Sequence, residues 1–554
     1  MTTPNPALVT ERAARRLPRL ALLLFCAAYI LPGVFGRDPW KNADITALGY
    51  MMSLVRGDAI SWMSPSIAGL PSDNGLLPYW LGALSIESLS GWVSPLLAAR
   101  LPFAALLALL LVLLWYSTYH LARTEAAQPL AFAFGGEAQP TDYARAVADA
   151  ALLALMASLG LLQPGHELTP ELLQLVALGL HLYGMAASPY RPVRSALATL
   201  VALPAMAASG AATTAVLLAL SGSLVTYRSS YPAARQHMRW ILLAGVLSAL
   251  LAEALDAWVW RIEVPDSGLG TLRLLAWFAW PVWPLAGWTL WRWRGHLLHR
   301  HIAVPLSCVL VALGSSIAMG ASDRALMLAI PGLAVLGAFA LPTLKRSVSA
   351  AIDWFSVFFF SICALTVWVI YLAIYTGWPK QPALNVARLA PELEVHFDPI
   401  ALLLAALSTL AWLWLVRWRT GRHREALWKS LVLPAGGVAL NWLLVMTLWL
   451  QVLDHARSYR PLVQRIGLQV PSLDCIYARQ LSRAQLAALE VLGQWTVETL
   501  DDSRNCRWML VSLSAQQQMA TPPGWQFLSR IRRPTDREES ILIYRREAAA
   551  PSNR

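Results

Sequence analysis

Residues 36–58 read GRDPWKNADITALGYMMSLVRGD, directly after an apolar run, and this junction decides how the rest of the chain is read. The run, Leu17 to Gly36, follows Arg12, Arg15, Arg16 and Arg19 and lacks a small-residue cleavage site. It is expected to be a retained first membrane span with a cytoplasmic N-terminus. Within the quoted stretch, Ala43 to Arg56 has apolar residues at helical spacing, which predicts a helix lying along the membrane surface. Asp44 falls in its first turn, where unpaired N–H groups favour a carboxylate, so a purely helix-terminal acid is the simplest account of it.

Composition extends the membrane reading to the whole chain. Of 554 residues, 57% are hydrophobic and 14% charged, where a soluble globular chain carries about a quarter charged residues. Disordered, collagenous and ordinary soluble-enzyme classes are thereby excluded. The net charge of +12 does not point to nucleic acid, because the basic residues form small clusters between apolar runs. Apolar runs near 18–36, 96–122, 145–163, 170–188, 195–209, 211–226, 238–260, 272–293, 302–319, 323–342, 354–376, 398–416 and 428–451 predict an all-α polytopic protein with about 13 transmembrane helices. The pair around Pro204 and Gly210 is separated by charge: Arg191 and Arg194 precede it and Arg228, Arg235 and Arg239 follow it, so the chain crosses twice between them.

The expected division is a membrane domain over 1–451 and a small external α/β domain over 452–554. In the tail, Leu473 to Ala478, Trp508 to Leu513, Gln526 to Ile531 and Ile541 to Tyr544 read as strands, and Arg483 to Leu492 as an amphipathic helix. Cys475 and Cys506 are the two cysteines of this tail, and an oxidising compartment would join them; two buried free thiols are the alternative. His296, His299 and His301 cluster with Arg294 and Arg300 on the expected cytoplasmic side, as an interfacial charge group.

The loop from 37 to 95 is long enough to be functional. Its ordered features are the acidic motif after the first span, a helix ending in Gly57-Asp58, a Gly-Leu-Pro turn at 69–71, an acidic-x-x-Leu-Leu-x-Tyr-Trp stretch at 73–80, and Ala-Ala-Arg-Leu-Pro at 98–102. This order resembles the GT-C glycosyltransferases of the aminoarabinose transferase and protein O-mannosyltransferase families. The resemblance is closest over about residues 30–125 and looser elsewhere. It implies a polyprenyl (undecaprenyl) phosphate-sugar donor, a lipid A-like or other cell-envelope acceptor, and transfer on the periplasmic face of a bacterial inner membrane. Asp44 matches the family's catalytic first-loop aspartate, with Ile45 where the family often has glutamate. Asp73 matches the glutamate, and Asn74 replaces the lysine, of a Glu-Lys-Pro-Pro stretch that contacts donor phosphate. Arg100 matches the arginine at the mouth of the second span. Glu171 looks like the acid of the second external loop, with Glu167 as runner-up.

These residue types suit the reaction. The leaving lipid phosphate needs little protonation, so the protein must deprotonate or orient an acceptor, as Asp44 or Glu171 could, and hold phosphate charge, as Arg100 could. Displacement by one acceptor inverts the anomeric centre. Asp38 is the alternative first-loop acid. The residues fix no cofactor; a divalent ion held by His166 and Glu167 with Asp44 or Asp73 stays an open alternative, and it needs ligand convergence that sequence does not show. The rival classes are a transporter or flippase of lipid-linked saccharides, which would favour internal repeats, and an inactive scaffold of the same fold.

Overall fold

The computed structural model describes residues 7, 9–57, 62–73, 75–130, 135–258, 262–263, 268–421, 426–471, 474–499, 506–513 and 522–546. Helices occupy the expected apolar runs. Six of them, Pro95–Ala122, Pro232–Ala254, Arg300–Ala318, Arg346–Thr376, Pro399–Thr420 and Lys429–Leu448, are long and apolar enough to cross a membrane. Helix Pro140–Ala157 joins the short turns through His166 at a 64° bend to make a seventh candidate. Arg19–Ile30, Pro192–Ala208, Ala212–Tyr227 and Ile330–Thr343 are apolar but shorter. The expected run 272–293 is divided into Gly268–Phe278 and Val282–Arg292. Pro281 at this break has no N–H to continue the backbone ladder.

Hydropathy sets which helices enter lipid, but packing sets their place in the bundle. Lys429–Leu448 is central, with 78% of its apolar window buried, whereas only 11% is buried in the neighbouring Pro399–Thr420. The latter turns Leu403, Leu407, Leu410 and Trp414 outward, as a lipid-facing helix must. The protein is a multi-pass membrane protein.

The tail forms a five-stranded sheet. Two short strands in the first loop, β1 (Ser66–Ile67) and β2 (Leu70–Pro71), pair with each other. The tail then supplies β3 (Cys475–Arg479), β4 (Thr496–Glu498), β5 (Trp508–Leu513), β6 (Trp525–Arg533) and β7 (Asp536–Arg546). Their order is β4-β3-β5-β7-β6. β3 is parallel to β4 and β5, which the intervening helix Arg483–Leu492 permits, and β7 is antiparallel to β5 and β6. Ser482 begins that helix with a capping box closed by Gln485. Cys475 and Cys506 are joined, with Cα atoms 4.8 Å apart.

The first-loop helix Ala43–Arg56 does not lie open on the membrane surface as its periodicity predicts. It is clamped between helix Leu77–Leu89 and the tail helix Arg483–Leu492, with Asp44, Ile45, Leu48, Tyr50, Met51 and Leu54 buried. The approach is close at Gly49, where a Cβ would come within 2.8 Å of the Ala487 Cβ. Apolar periodicity recorded a buried face correctly but could not say whether lipid or protein covers it.

Candidate functional site

Asp44 is the hub of the first loop. Its Oδ2 accepts from Arg37 Nη2 at 3.3 Å and from the Trp40 N–H at 3.2 Å, and its Oδ1 accepts from the Leu168 N–H at 2.8 Å. Arg100 Nη2 stands 3.8 Å from Oδ2. The carboxylate is fully sealed, with 0% of its side chain exposed. A void beside Arg100 and His166 measures only about 10 Å³, room for a water at most. In this structure Asp44 neutralises two buried arginines, whose desolvation requires an anion.

Arg100 is likewise turned inward. It donates from Nη1 to the Arg37 carbonyl and from Nη2 to the Asp38 carbonyl at 3.0 Å. Its terminal nitrogens are engaged by this backbone and by Asp44, while its buried Nε has no hydrogen-bond partner. Arg37, which sequence reading gave no role, also donates to the His166 carbonyl at 2.7 Å and stacks over Trp40 at 4.7 Å.

A second layer ties the first loop to the tail. Asp38 accepts from Arg460 Nε and Nη2 at 2.7 and 2.6 Å, a bidentate pair. Asp454 accepts from the Asp38 N–H at 3.1 Å and from Trp40 Nε1 at 2.9 Å. Burial, followed by repulsion from Asp38, raises the Asp454 carboxyl to about 6 against the lowering effect of the Trp40 hydrogen bond. Asp73 pairs with Arg483, whose Nη2 lies 2.7 Å from Oδ1. Asn74 and Asp58 lie outside the described residues.

The second-loop acids sit differently. Arg324 Nη2 donates to Glu167 Oε2 at 2.6 Å, and its Nη1 is 3.7 Å from Glu171 Oε2. Glu167 is buried and also accepts from Gln163. Glu171, in the first turn of Pro170–Ala187, keeps 22% of its side chain exposed. It lines an external cleft of about 230 Å³ with Asn42, Thr46, Tyr79 and Ser482. The cleft thus joins the first loop, the second loop and the tail, with Arg324 behind Glu171. Arg324 is shared between Glu167 and Glu171, so what the cleft offers is a half-open carboxylate able to accept a proton.

The expected metal set does not converge. Both ring nitrogens of His166 face carbonyl oxygens, Leu162 at 2.6 Å and Tyr29 at 2.8 Å. Glu167 and Asp73 are engaged by Arg324 and Arg483. Among the described residues, Cys475, Glu498 and Cys506 are the potential ligands that do come together, and there the two sulfurs are joined.

Sequence reasoning missed Arg37, Arg324, Asp454 and Arg460. The usable signals were an arginine inside the decisive stretch, a cation within the apolar run 323–342, and the charged cluster of 454–460 just after the last span.

No protein-family model matches the chain, and no curated protein matches it in sequence. Among solved structures, it is similar to ArnT from Cupriavidus metallidurans in the apo state, at 14% identity and a TM-score of 0.59, covering 95% of this chain and 98% of that one. It is similar to the same protein bound to undecaprenyl phosphate, at 13% identity and a TM-score of 0.58, covering 95% and 96%. From end to end, the chain shares its fold with an aminoarabinose transferase, a GT-C glycosyltransferase.

Proposed function

We propose that the protein is a membrane glycosyltransferase that moves a sugar from a polyprenyl phosphate to a lipid or cell-envelope glycan acceptor. The observation that carries this reading is the end-to-end likeness to ArnT, a protein solved with undecaprenyl phosphate. The external cleft beside Glu171 supplies a site for the reaction. The acceptor oxygen attacks the anomeric carbon, the bond from that carbon to the phosphate oxygen breaks, and polyprenyl phosphate leaves. Glu171 takes the acceptor proton. Attack opposite the leaving group inverts the anomeric centre. Asp44 is a positioning residue that keeps Arg37 and Arg100 neutralised and the loop in place. The cleft faces the periplasm of a bacterial inner membrane, with the N-terminus cytoplasmic and residues 452–554 forming the periplasmic domain.

The sealing of Asp44 favours one other reading, a non-catalytic member of the same fold. Turnover decides between them. The purified protein in nanodiscs is incubated with polyprenyl-phosphate sugars and lipid A, and released polyprenyl phosphate and acceptor mass are measured. Sugar-bearing acceptor with equimolar polyprenyl phosphate supports the enzyme. No release from any donor by well-folded protein, with an unchanged cellular lipid A and glycan profile when the protein is removed, favours the scaffold.

A further inference from the structure

Four arginines are buried among the described residues: Arg37, Arg100, Arg300 and Arg533. Three have a carboxylate. Arg37 and Arg100 share Asp44, and Arg533 meets Glu539 at 3.1 Å. Arg300, which opens helix Arg300–Ala318, has neutral partners instead. It donates to the Met185 carbonyl at 2.6 Å, to Ser188 Oγ at 3.2 Å and to Ser229 Oγ at 3.4 Å. Its buried Nε has no hydrogen-bond partner, which is equally true of the other three, so the missing carboxylate is what sets Arg300 apart. A cation removed from water is costly unless an anion compensates it, and carbonyls and hydroxyls return only part of that cost.

Arg300 also lines a cavity of about 940 Å³. The walls come from the turn after helix Pro95–Ala122, the turn at 228–231 and the segment 295–300. Pro95–Ala122 begins beside the first loop and runs 28 residues, about 42 Å at the helical rise. The cavity therefore opens at the end of the bundle opposite the Glu171 cleft. Arg228 and His296 stand exposed at its wall and His299 is half-buried; the carboxylate among the lining residues is Glu125. The terminal nitrogens of Arg300 are engaged away from the cavity, so it acts there through its uncompensated charge, and a roomy mouth bearing the donors of Arg228, His296 and His299 suits a polyatomic oxyanion better than a monatomic ion.

We propose that this cavity binds a phosphate-bearing anion, with Arg300 as its buried anchor and Arg228, His296 and His299 as donors at the mouth. The phosphate belongs either to the headgroup of an anionic phospholipid or to a soluble phosphate compound. The site is separate from sugar transfer and does not depend on it.

The test reads thermal unfolding of the full-length protein in nanodiscs. In one arm, phosphatidylcholine nanodiscs are titrated with inorganic phosphate at an ionic strength held constant with chloride. In the other, the phosphatidylglycerol fraction is raised without phosphate. The expected result is a saturable rise in Tm in at least one arm, which also identifies the source of the phosphate. Arg300→Gln should weaken that response by about tenfold or more, because it removes the buried charge that the anion compensates. The double variant Arg228→Ala/His299→Ala, which changes only the mouth, should weaken it as well and carries the test if Arg300→Gln does not fold. No saturable rise in either arm, or a response unchanged in the folded variants, overturns the proposal.

Discussion

Asp44 and Glu171 occupy the same local position: each is an acid in the first turn of a helix that follows an external loop segment. Their surroundings are opposite. Asp44 is fully sealed beneath two arginines and two backbone donors, whereas Glu171 keeps 22% of its side chain exposed on a cleft and meets one arginine at 3.7 Å. The difference separates two uses of a carboxylate. A sealed one compensates buried cations and fixes a loop; a half-open one can reach a substrate. The resemblance points first to Asp44, whereas the proposed mechanism places the chemistry at Glu171.

The largest expected effect is on transfer by Glu171→Gln. If Glu171 is the base, turnover should fall by about 10²- to 10⁴-fold, while unfolding in detergent stays near that of the wild type. The converse holds for Asp44→Asn, which strands Arg37 and Arg100 without an anion. Removing one partner of a buried pair costs about 3–5 kcal/mol, so its thermal unfolding should shift strongly. An Asp44→Asn protein as stable as the wild type but inactive would reverse the two roles and restore Asp44 as the base.

The joint between first loop and tail gives smaller effects. Cys475 and Cys506 are 31 residues apart, and closing that loop contributes about 3.7 kcal/mol in the chain-entropy model. Non-reducing peptide mapping should find them joined, and the Cys475→Ser/Cys506→Ser protein should lose tail stability. Asp454, with its carboxyl raised to about 6 by burial, binds a proton more tightly in the folded state. Its contribution therefore favours folding at low pH and is lost as pH rises from about 4 to about 6, levelling above that. Asp454→Asn should flatten this part of the stability–pH curve; an unaltered slope would mean another group carries it. The smallest change is expected for Asp73→Asn, which breaks a largely exposed pair with Arg483. Such pairs contribute about 0.2–1 kcal/mol, so a double-mutant cycle with Arg483→Gln should give a coupling in that range.

Local pattern carried much of the fold. The tail helix occupies Arg483–Leu492 and one strand Trp508–Leu513, the ranges their periodicity predicts. β4, at three residues, is too short to show alternation. The apolar runs located the helices, but an average over residues registered neither the break at Trp280-Pro281 nor the contrast between the buried Lys429–Leu448 and the lipid-facing Pro399–Thr420. Lipid and protein interior are both apolar, so hydropathy scores them alike.

By itself the sequence determined that this is a polytopic helical membrane protein with a mixed α/β tail. These properties depend on composition and on spacing along the chain, which need no knowledge of distant contacts. Only the tertiary structure decided that the tail covers the first-loop helix, that Arg37 and Arg100 converge on Asp44, and that Glu171 rather than Asp44 meets the cleft. Those outcomes join residues as far apart as Asp38 and Arg460 or Asp73 and Arg483. A carboxylate's charge is written in the sequence, but whether it meets water, substrate or a buried arginine depends on which distant segments close around it.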